Sequence, residues 1–303
     1  MMSRRRLALA CVAILVAIAL VACELPRENR IVIGSKNFSE SALLGEILAQ
    51  QLEARLHRPV ERRFYLAGTF ICQQAILAGR IDAYVEYTGT ALTAVLKQPS
   101  DADSARVFAM VRDRYRDQFH LDVLPSLGFN NTFAIVVRGD DARKNNLRTI
   151  SDAARVAPQW RPGFGYEFME RPDGFNGLRE KYGLKFADTP RVLDLGLLYR
   201  ALLDNQVDLV AGNSTDGILS AHDLVILEDD KHYFPAYDAV PVVRSDSLAR
   251  WQGMREAITE LRDSITDTEM RKMNYDVDVD HRDIADVAKE FLANRESAAK
   301  VAP

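Results

Sequence analysis

Short apolar runs alternate with longer stretches of helical periodicity along the first part of the chain. Ile31–Gly34 is a continuous apolar run, which is typical of a buried strand, and apolar residues then recur at helical spacing to about Leu56. The inner stripe of this predicted helix consists of Leu43, Leu44, Ile47, Leu48 and Leu52. A second strand is predicted at Val60–Leu66, followed by another helix. This alternation predicts an α/β fold with a parallel sheet.

One pattern occurs twice in the chain, at 74–90 and again at 200–217. Each copy reads as the end of a helix, a turn, a short strand and a polar loop. The matched pairs are Ala75 and Ala201, Leu77 and Leu203, Ile81 and Val207, Asp82 and Asp208, and then Tyr87 and Asn213. Loops at the carboxyl ends of strands bind ligands in open α/β sheets, so the pattern predicts two lobes that share a cleft. Two unrelated units of the same type would also produce so few matches.

Two similar apolar segments are interpreted as strands that cross between the lobes. Phe133–Arg138 and Ala239–Arg244 both end in Val-Val-Arg. The helical stretches after residue 250 are then assigned back to the first lobe. The predicted division is residues 30–137 and 241–303 for lobe 1 and residues 138–240 for lobe 2. The predicted layout is therefore two lobes joined by two crossover strands, which is suited to hinge closure around a ligand.

The N-terminal segment is typical of a targeting signal. Arg4, Arg5 and Arg6 precede an apolar run of about 16 residues, Leu7–Ala22, which is shorter than a membrane span and fits a secretory signal. The run ends in Leu-Val-Ala before Cys23, which resembles the lipobox of bacterial lipoproteins. Residues 1–22 are predicted to be a lipoprotein signal peptide, Cys23 the lipidated residue and residues 23–29 a linker. An ordinary signal peptide or a short anchor is the alternative.

Composition and charge narrow the function classes. Of 303 residues, 48% are apolar and 27% charged, and the net charge of −4 argues against a nucleic-acid-binding protein. The mature chain would keep a single cysteine, Cys72, which is interpreted as a buried apolar residue because it lies in an apolar run. Its lone thiol allows no internal disulfide.

The sequence lacks the patterns that are typical of metal binding and catalysis. The five histidines are scattered without metal-ligand spacing, and no nucleophile, phosphate-binding or dinucleotide motif appears. The segment Asp276–Asp280 begins like a calcium loop, but His281 and Val287 stand where such a loop needs Gly and Glu. Its alternating Asp and Val are interpreted as a strand with one face in water. No metal, cofactor or enzymatic activity is predicted.

Several polar residues stand at predicted helix starts, where free N–H groups favour anions. Asn37 is predicted to cap the first helix, with Glu40 completing a capping box. Lys36 lies beside that start and would strengthen anion binding, although an exposed surface lysine is the simpler interpretation. Thr69 and Thr90 occupy similar positions.

The sequence resembles the substrate-binding proteins of ABC importers for osmoprotectants such as glycine betaine, choline and carnitine. The resemblance covers nearly the whole mature chain in order, and it implies the fold of the family, an α/β two-lobed periplasmic binding protein, type II-like, with two crossover hinge strands. The segments that carry it are IVIGSKNFSESALLGEILAQQLE from Ile31, AGT from Ala67, GRIDAYVEYTGTAL from Gly79, NNTFA from Asn130, FMERPDG from Phe168, STDG from Ser214 and LEDDKHYFPAYDAVPVVR from Leu227. VEYTGT and DDKHYFP are fairly specific, whereas STDG alone is weak.

The resemblance implies a ligand site in which aromatic rings surround a quaternary ammonium and Lys, Arg and Thr hold a carboxylate. Ring faces attract such a cation, which cannot donate hydrogen bonds, and a carboxylate suits the fork of an arginine. Carried over by motif, the ligand-binding residues are Lys36, Tyr87, Thr90, Phe133, Arg171, Asn213 and Tyr237. Tyr233 and Phe234 are neighbours that could replace Tyr237.

Two positions depart from the family pattern. Phe133 stands where relatives usually have Tyr, and Asn213 stands where many relatives have Tyr before STDG. The resemblance therefore implies either an osmolyte receptor with one ring fewer or a receptor for another small zwitterion, such as an amino acid or a histidine betaine. An extracytoplasmic enzyme or sensor is a third alternative. The implied partners are an ABC permease with its ATPase, and the predicted state is a lipid-anchored monomer at the periplasmic or cell-surface side of the cytoplasmic membrane.

Overall fold

Two five-stranded sheets organise the part of the chain that the computed structural model describes, residues 30–301, with side chains described up to residue 297. The strands are β1 (Ile31–Gly34), β2 (Val60–Arg63), β3 (Ala83–Tyr87), β4 (Leu121–Val123), β5 (Phe133–Arg138), β6 (Pro162–Gly165), β7 (Arg191–Leu193), β8 (Leu209–Asn213), β9 (Leu224–Leu227) and β10 (Ala239–Arg244). The first sheet, in lobe 1, has the order β2-β1-β3-β10-β4, and the second, in lobe 2, has the order β7-β6-β8-β5-β9. The predicted α/β architecture with two lobes is confirmed.

Helices flank both sheets. They are α1 (Ser39–Leu56), α2 (Thr69–Leu77), α3 (Thr88–Thr90), α4 (Ser104–Phe119), α5 (Gly139–Asn145), α6 (Ile150–Ala153), α7 (Tyr166–Glu170), α8 (Phe175–Tyr182), α9 (Leu198–Leu203), α10 (Ile218–Ala221), α11 (Ser245–Arg250), α12 (Met254–Thr259), α13 (Asp267–Asp278) and α14 (Ile284–Val301). A π-helical turn, Ala91–Val95, continues α3, and two 3₁₀ turns lie at Ala157–Gln159 and Leu195–Leu197. Helices α12 to α14 pack on lobe 1 through α1, as the sequence predicted for the C-terminal stretch.

Both faces of each sheet are buried, which explains the continuous apolar runs of the strands. In β1, Ile31 and Ile33 belong to one apolar cluster with the α1 stripe, whereas Val32 points to a second cluster on the other face. In β5, Ile135 and Val137 belong to the first cluster, and Ala134 and Val136 face a third. The first cluster therefore continues from lobe 1 into lobe 2.

The chain crosses between the lobes just before β5 and just before β10. All of β5 pairs with β8 and β9 in lobe 2, and β10 pairs with β3 and β4 in lobe 1. The crossing segments run side by side through an antiparallel bridge between Asn130 and Asp238. The predicted boundary between residues 137 and 138 is therefore too late, because Phe133–Arg138 is a strand of lobe 2. Residues 239 and 240, predicted for lobe 2, begin a strand of lobe 1.

Two local predictions are wrong. Asp276–Asp280 is not a strand, since α13 runs to Asp278 and begins with a capping box between Thr266 and Glu269. Asn37 does not cap α1. The N-cap is Phe38, without a side-chain bond, and the hydroxyl of Ser41 accepts from the backbone N–H of Lys36 at 2.8 Å.

The paired aspartates of the sequence repeat make equivalent contacts in the two lobes. Asp82 precedes β3 and accepts a hydrogen bond from the backbone N–H of Val32 in the neighbouring parallel strand at 2.7 Å. Asp208 precedes β8 and accepts from the backbone N–H of Arg161, which precedes β6, at 2.9 Å. Each carboxylate thus fixes the register of two parallel strands at the edge opposite the carboxyl ends.

The predicted signal peptide, the lipidated Cys23 and the linker lie outside the described residues. Within residues 30–301, none of the helices has the length and apolar character needed to cross a membrane.

Cys72 is fully buried on α2, as predicted, and burial raises the pKa of its thiol to about 12. The thiol is therefore a packing group rather than a nucleophile.

Replacing Asp208 tests this register contact. Its carboxylate also pairs with Arg138 at 2.8 Å and Arg161 at 3.0 Å. We expect Asp208→Ala to lower the free energy of unfolding by about 2–3 kcal/mol, measured by urea denaturation, because a partly buried pair loses its acid. Asp204→Ala is the control, since the exposed Asp204 meets Arg200 at only 3.5 Å and should change stability by less than about 0.5 kcal/mol. Equal effects of the two variants would contradict the register role.

Candidate functional site

The predicted site residues lie where the strands of the two lobes face each other. Tyr87 ends β3 and Asn213 ends β8, while Phe133 begins β5 directly opposite Asn213 in the antiparallel ladder. Lys36 follows β1, and Tyr237 precedes β10 within the second crossing segment. The carboxyl ends of the parallel strands therefore point into the same cleft, as is general for open α/β sheets.

Lys36 is buried against the acidic side chain of Glu86 rather than exposed on the surface. Lys36 is 3% exposed and Glu86 is fully buried, and the Lys36 Nζ donates a short hydrogen bond to a Glu86 carboxylate oxygen. The same Nζ lies 5.1 Å from the centroid of the Tyr87 ring. The cation thus has one acidic partner and one aromatic face.

Tyr87 is 5% exposed and ends a strand, whereas the sequence placed it in a polar loop. Its ring lies 6.4 Å from that of Phe38, with an interplanar angle of 26°. Its hydroxyl donates to Glu40 at 2.5 Å. Burial raises the pKa of Tyr87, and the Glu40 carboxylate raises it further, so the hydroxyl stays protonated and remains a donor.

Glu40 is the residue around which the two lobes and a crossing segment meet. One carboxylate oxygen accepts from Tyr87 and from the Asn131 amide at 2.8 Å. The other accepts from the Thr215 hydroxyl at 2.5 Å and the Asn274 amide at 2.6 Å. Burial raises the pKa of Glu40, and the four hydrogen bonds oppose this rise.

A cluster of rings surrounds Phe133 on the lobe 2 side of the cleft. The Phe133 ring lies 4.8 Å from Phe168, 5.6 Å from Phe234 and 5.7 Å from Tyr237. The hydroxyl of Tyr233 is bonded to the backbone carbonyl of Gly174 at 3.0 Å. Among the three aromatic candidates of this segment, Phe234 and Tyr237 contact Phe133 directly, whereas Tyr233 packs on Phe234 at a centroid distance of 5.0 Å and supports the neighbouring turn.

Arg171 lies on the faces of this cluster and is paired with Asp173. Its guanidinium carbon lies 4.9 Å from the centroid of the Phe133 ring and 5.9 Å from that of Tyr237. Its Nε donates to Asp173 at 2.9 Å, and Tyr237 donates its hydroxyl to the same carboxylate at 2.6 Å. Burial opposes ionisation of Asp173, but the charge of Arg171 holds the pKa of Asp173 below its ordinary value.

Asn213 turns its side chain toward Asp216. Its backbone N–H donates to Asp216 at 2.8 Å and its side-chain amide at 3.2 Å, and Tyr199 donates its hydroxyl at 2.6 Å. Burial raises the pKa of Asp216 to about 6, and the charge of Glu40 contributes to the rise. The amide of Asn213 is thus committed to a carboxylate of its own loop.

Thr90 is 3% exposed at the end of α3, beside a close contact that joins the two halves of the site. A Cβ on Gly89 would lie 2.7 Å from the Tyr237 ring and 2.7 Å from the Ala236 carbonyl oxygen. Only glycine allows the turn after Tyr87 to approach the second crossing segment this closely.

The sequence missed four acidic residues of the site, namely Glu40, Glu86, Asp173 and Asp216. Each lies inside a segment that was quoted for the resemblance, and each stands within four residues of a predicted site residue. A search for an acid beside every predicted buried cation would have found Glu86 and Asp173, because a buried charge requires a partner. Glu40 was assigned to a capping box instead.

The chemistry of this arrangement favours binding over catalysis. Two cations lie on aromatic faces, each with an acid, and the remaining acids are held by neutral donors. Within the described residues, no group of three or more His, Cys, Asp or Glu side chains is placed to hold a metal ion. Aromatic faces and paired charges suit an organic ion with both a cationic and an anionic group.

Comparisons with known proteins identify the family of the chain. A family model for the substrate-binding domain of ABC-type glycine betaine transport systems matches residues 29–294. The carnitine transport binding protein OpuCC of Listeria monocytogenes is 34% identical over 280 residues, with 90% of this chain and 91% of that protein covered. A glycine-betaine-binding protein of Pseudomonas aeruginosa is 32% identical over 298 residues, covering 95% and 93% of the two chains.

A solved structure supports the fold. The crystal structure of a glycine betaine/carnitine/choline ABC transporter matches 88% of this chain and 98% of its own, with a TM-score of 0.72 and 32% identity. This likeness confirms the predicted fold class, a two-lobed periplasmic binding protein.

The raised pKa of Asp216 predicts a pH-dependent effect of Asp216→Asn. Because the folded protein holds the proton up to about pH 6, the contribution of Asp216 to the free energy of unfolding falls as pH rises from about 4 to 6. Above about pH 6, the ionised Asp216 lowers the free energy of unfolding by on the order of 2 kcal/mol, a figure reduced for the partial exposure of the residue. The neutral amide does not ionise, and it can keep the bonds to Tyr199 and Asn213 if the Asn213 amide turns.

Thermal unfolding at pH 4 and pH 7 measures this effect. The melting temperature of Asp216→Asn minus that of the parent should be larger at pH 7 than at pH 4. A difference between variant and parent that is the same at both pH values would show that Asp216 does not titrate in this window.

Proposed function

This chain belongs to the family of substrate-binding domains of ABC-type glycine betaine transport systems, and from that premise we propose that it captures a zwitterionic quaternary amine of the glycine betaine and carnitine class. The ligand binds between the two lobes, which close around it by a hinge motion of the crossing segments. The closed protein then delivers it to an ABC permease and its ATPase. The named relatives bind carnitine and glycine betaine, which supports this ligand class.

The observation that carries the proposal is that cationic groups lie against aromatic faces in the cleft. Arg171 contacts the faces of Phe133 and Tyr237, and Lys36 contacts that of Tyr87. These rings therefore already stabilise positive charge in a site shielded from water, at about 0.5–2 kcal/mol per contact. A trimethylammonium group gains the same attraction and needs no hydrogen-bond partner.

The two cations supply the other half of the recognition. Lys36 has three donors and Arg171 has five, and Glu86 and Asp173 use only part of them. A ligand carboxylate can therefore bind to the remaining N–H groups while each cation keeps its acid. Thr90 stands at the end of the turn between these two halves and is proposed to add a hydroxyl donor.

The cage has three aromatic positions and one polar position. Tyr87, Phe133 and Tyr237 provide the rings, and Asn213 stands in place of the fourth. Because the Asn213 amide is bonded to Asp216, we propose that it shapes one wall of the site without contacting the cation through a ring. Smaller contact area on this side should lower affinity rather than change the ligand class.

The setting of the protein is also part of the proposal. The basic start, the apolar run Leu7–Ala22 and Cys23 support a lipoprotein that is cleaved before Cys23 and held by lipid at the outer side of the cytoplasmic membrane. The family works in transport, and we propose that this protein is a monomeric receptor without enzymatic activity. Mass spectrometry of the membrane-bound protein after expression in a bacterial host would detect the lipid on Cys23.

Ligand titration tests the proposed class. Calorimetric titration of the protein from residue 24 onward should show micromolar binding of glycine betaine, carnitine or proline betaine, and Tyr87→Ala should weaken it at least tenfold by removing one ring. Amino acids and ergothioneine serve as competing probes. Ile226→Ala is the control, because Ile226 is 42% exposed within the edge strand β9, is not among the proposed ligand-binding residues and should leave the affinity unchanged. Binding of an amino acid with no binding of any quaternary amine would contradict the proposal.

The role of Arg171 is tested with two ligands that share a trimethylammonium group. Glycine betaine carries a carboxylate and choline a hydroxyl, so Arg171→Ala should weaken glycine betaine at least tenfold more than choline, because only the carboxylate loses a charge-assisted partner. The dissociation constants from calorimetry give the ratio, and choline acts as the internal control for the fold. Equal losses for both ligands would remove the carboxylate role.

A further inference from the structure

The carboxylate of Glu40 joins four separate segments of the chain by hydrogen bonds alone. Its donors are Tyr87 from β3, Asn131 from the first crossing segment, Thr215 from the loop after β8 and Asn274 from α13. Tyr87 and Asn274 belong to lobe 1, and Thr215 belongs to lobe 2. Glu40 therefore contacts both lobes and the connection between them.

Neutral donors alone balance this buried charge. Glu40 is 3% exposed and makes no ion pair among the described residues. A carboxylate removed from water requires hydrogen bonds at its lone pairs, so each lost donor leaves an acceptor unsatisfied. The loss of any one donor therefore weakens the positioning of the other three.

We propose that Glu40 is a positioning residue that couples the orientation of the Tyr87 ring to closure of the lobes. This inference rests on the proposed function, in which the Tyr87 ring forms one wall of the ligand cage. Glu40 itself acts through Tyr87 and Thr215 and is not a ligand contact.

The lobe 1 half of the coupling is the bond to Tyr87. The hydroxyl at 2.5 Å fixes one end of the ring, and Phe38 lies beside the ring at a centroid distance of 6.4 Å. A phenol that donates to a carboxylate also carries more electron density, which strengthens attraction of a cation to the ring face. The bond thus positions the ring and favours cation binding.

The lobe 2 half is the bond to Thr215. The Thr215 hydroxyl donates to Glu40, and the Thr215 carbonyl accepts from Asn274 at 2.8 Å. Beside it, Arg271 donates to the Ser214 carbonyl at 2.9 Å, and a Cβ on Gly217 would lie 2.3 Å from the Tyr275 backbone nitrogen. Thr215 can reach Glu40 only when this loop is seated on α13, so the bond forms on closure.

Separation of the lobes removes Thr215 from Glu40 but leaves Tyr87 and Asn274 in the same lobe. The carboxylate oxygen that held Thr215 then faces the opened cleft, where water can replace the hydroxyl. On closure, the Thr215 hydroxyl replaces that water. Glu40 then has all four of its donors, and its carboxylate is held in the position that fixes Tyr87. The Thr215 hydroxyl should therefore slow release of a bound ligand without affecting its entry.

Thr215→Val tests the proposal because valine has the shape of threonine without the hydroxyl. We expect the dissociation constant for glycine betaine or carnitine to rise about tenfold, through faster dissociation, with the association rate within twofold of the parent. Thr215→Ser keeps a hydroxyl and should recover most of the affinity. Ser214→Ala, one residue away, is the control and should bind as the parent does. Stopped-flow mixing and calorimetry give the rates and the constants.

A double-mutant cycle identifies Glu40 as the partner. Glu40→Gln keeps the shape, and its amide oxygen can still accept from Tyr87, but the group that then faces Thr215 is an uncharged NH2 group, which cannot accept from the Thr215 hydroxyl. Thr215→Val should therefore cost less than threefold in the Glu40→Gln background, compared with tenfold in the parent. The melting temperature of each ligand-free variant checks that the fold is retained.

The outcomes separate this inference from the proposed function. A parent protein that binds none of the quaternary amines contradicts the proposed ligand class. A parent that binds, together with a Thr215→Val variant of unchanged affinity, overturns the coupling through Glu40. An equal loss from Thr215→Val in both backgrounds also overturns it, since Thr215 would then act independently of Glu40.

Discussion

Charge buried between the two lobes must find its partners within the protein, and this constraint shapes the whole cleft. Lys36 is neutralised by Glu86, and Arg171 by Asp173. Within the part of the chain that the structure describes, Glu40 has no cationic partner and relies instead on donors from both lobes and a crossing segment. Since isolated buried charge is costly, each pairing fixes the strand ends and loops that supply it. The geometry of the site therefore follows from charge satisfaction as much as from apolar packing.

The aromatic side chains act within this framework. Phe133, Phe234 and Tyr237 come from the segments at or beside the two crossings, and Arg171 lies on their faces. In the proposed function, cation binding and closure share the same residues, because these rings lie at or beside the crossings between the lobes. Fixed rings also lower the ordering cost of binding, because less side-chain freedom is lost when the ligand enters.

The two-lobed α/β architecture expected from the sequence is confirmed, but the burial of individual side chains was misjudged. Lys36 was weighed as an exposed lysine, Tyr87 as a loop residue and Glu40 as part of a helix cap, and all three are buried. Periodicity describes the face of one element at a time. The partners of Glu40 are separated from it by 47 to 234 positions, so no local pattern could reveal them. The strand expected at Asp276–Asp280 failed because tertiary packing of α13 overrode alternation of Asp and Val.

The sequence by itself determined the alternation of strands and helices, the two repeated units and the motifs of the transport family. These features depend on apolar spacing and on short segments, which can be recognised directly in the sequence. Tertiary structure alone decided where the chain crosses between lobes, because strand membership depends on pairing: β5 joins β8 and β9 in lobe 2 rather than leading out of lobe 1. It also decided which acid neutralises which cation and that one carboxylate links both lobes. Hydrogen bonds across the cleft are set by folding in three dimensions, and desolvation makes them obligatory.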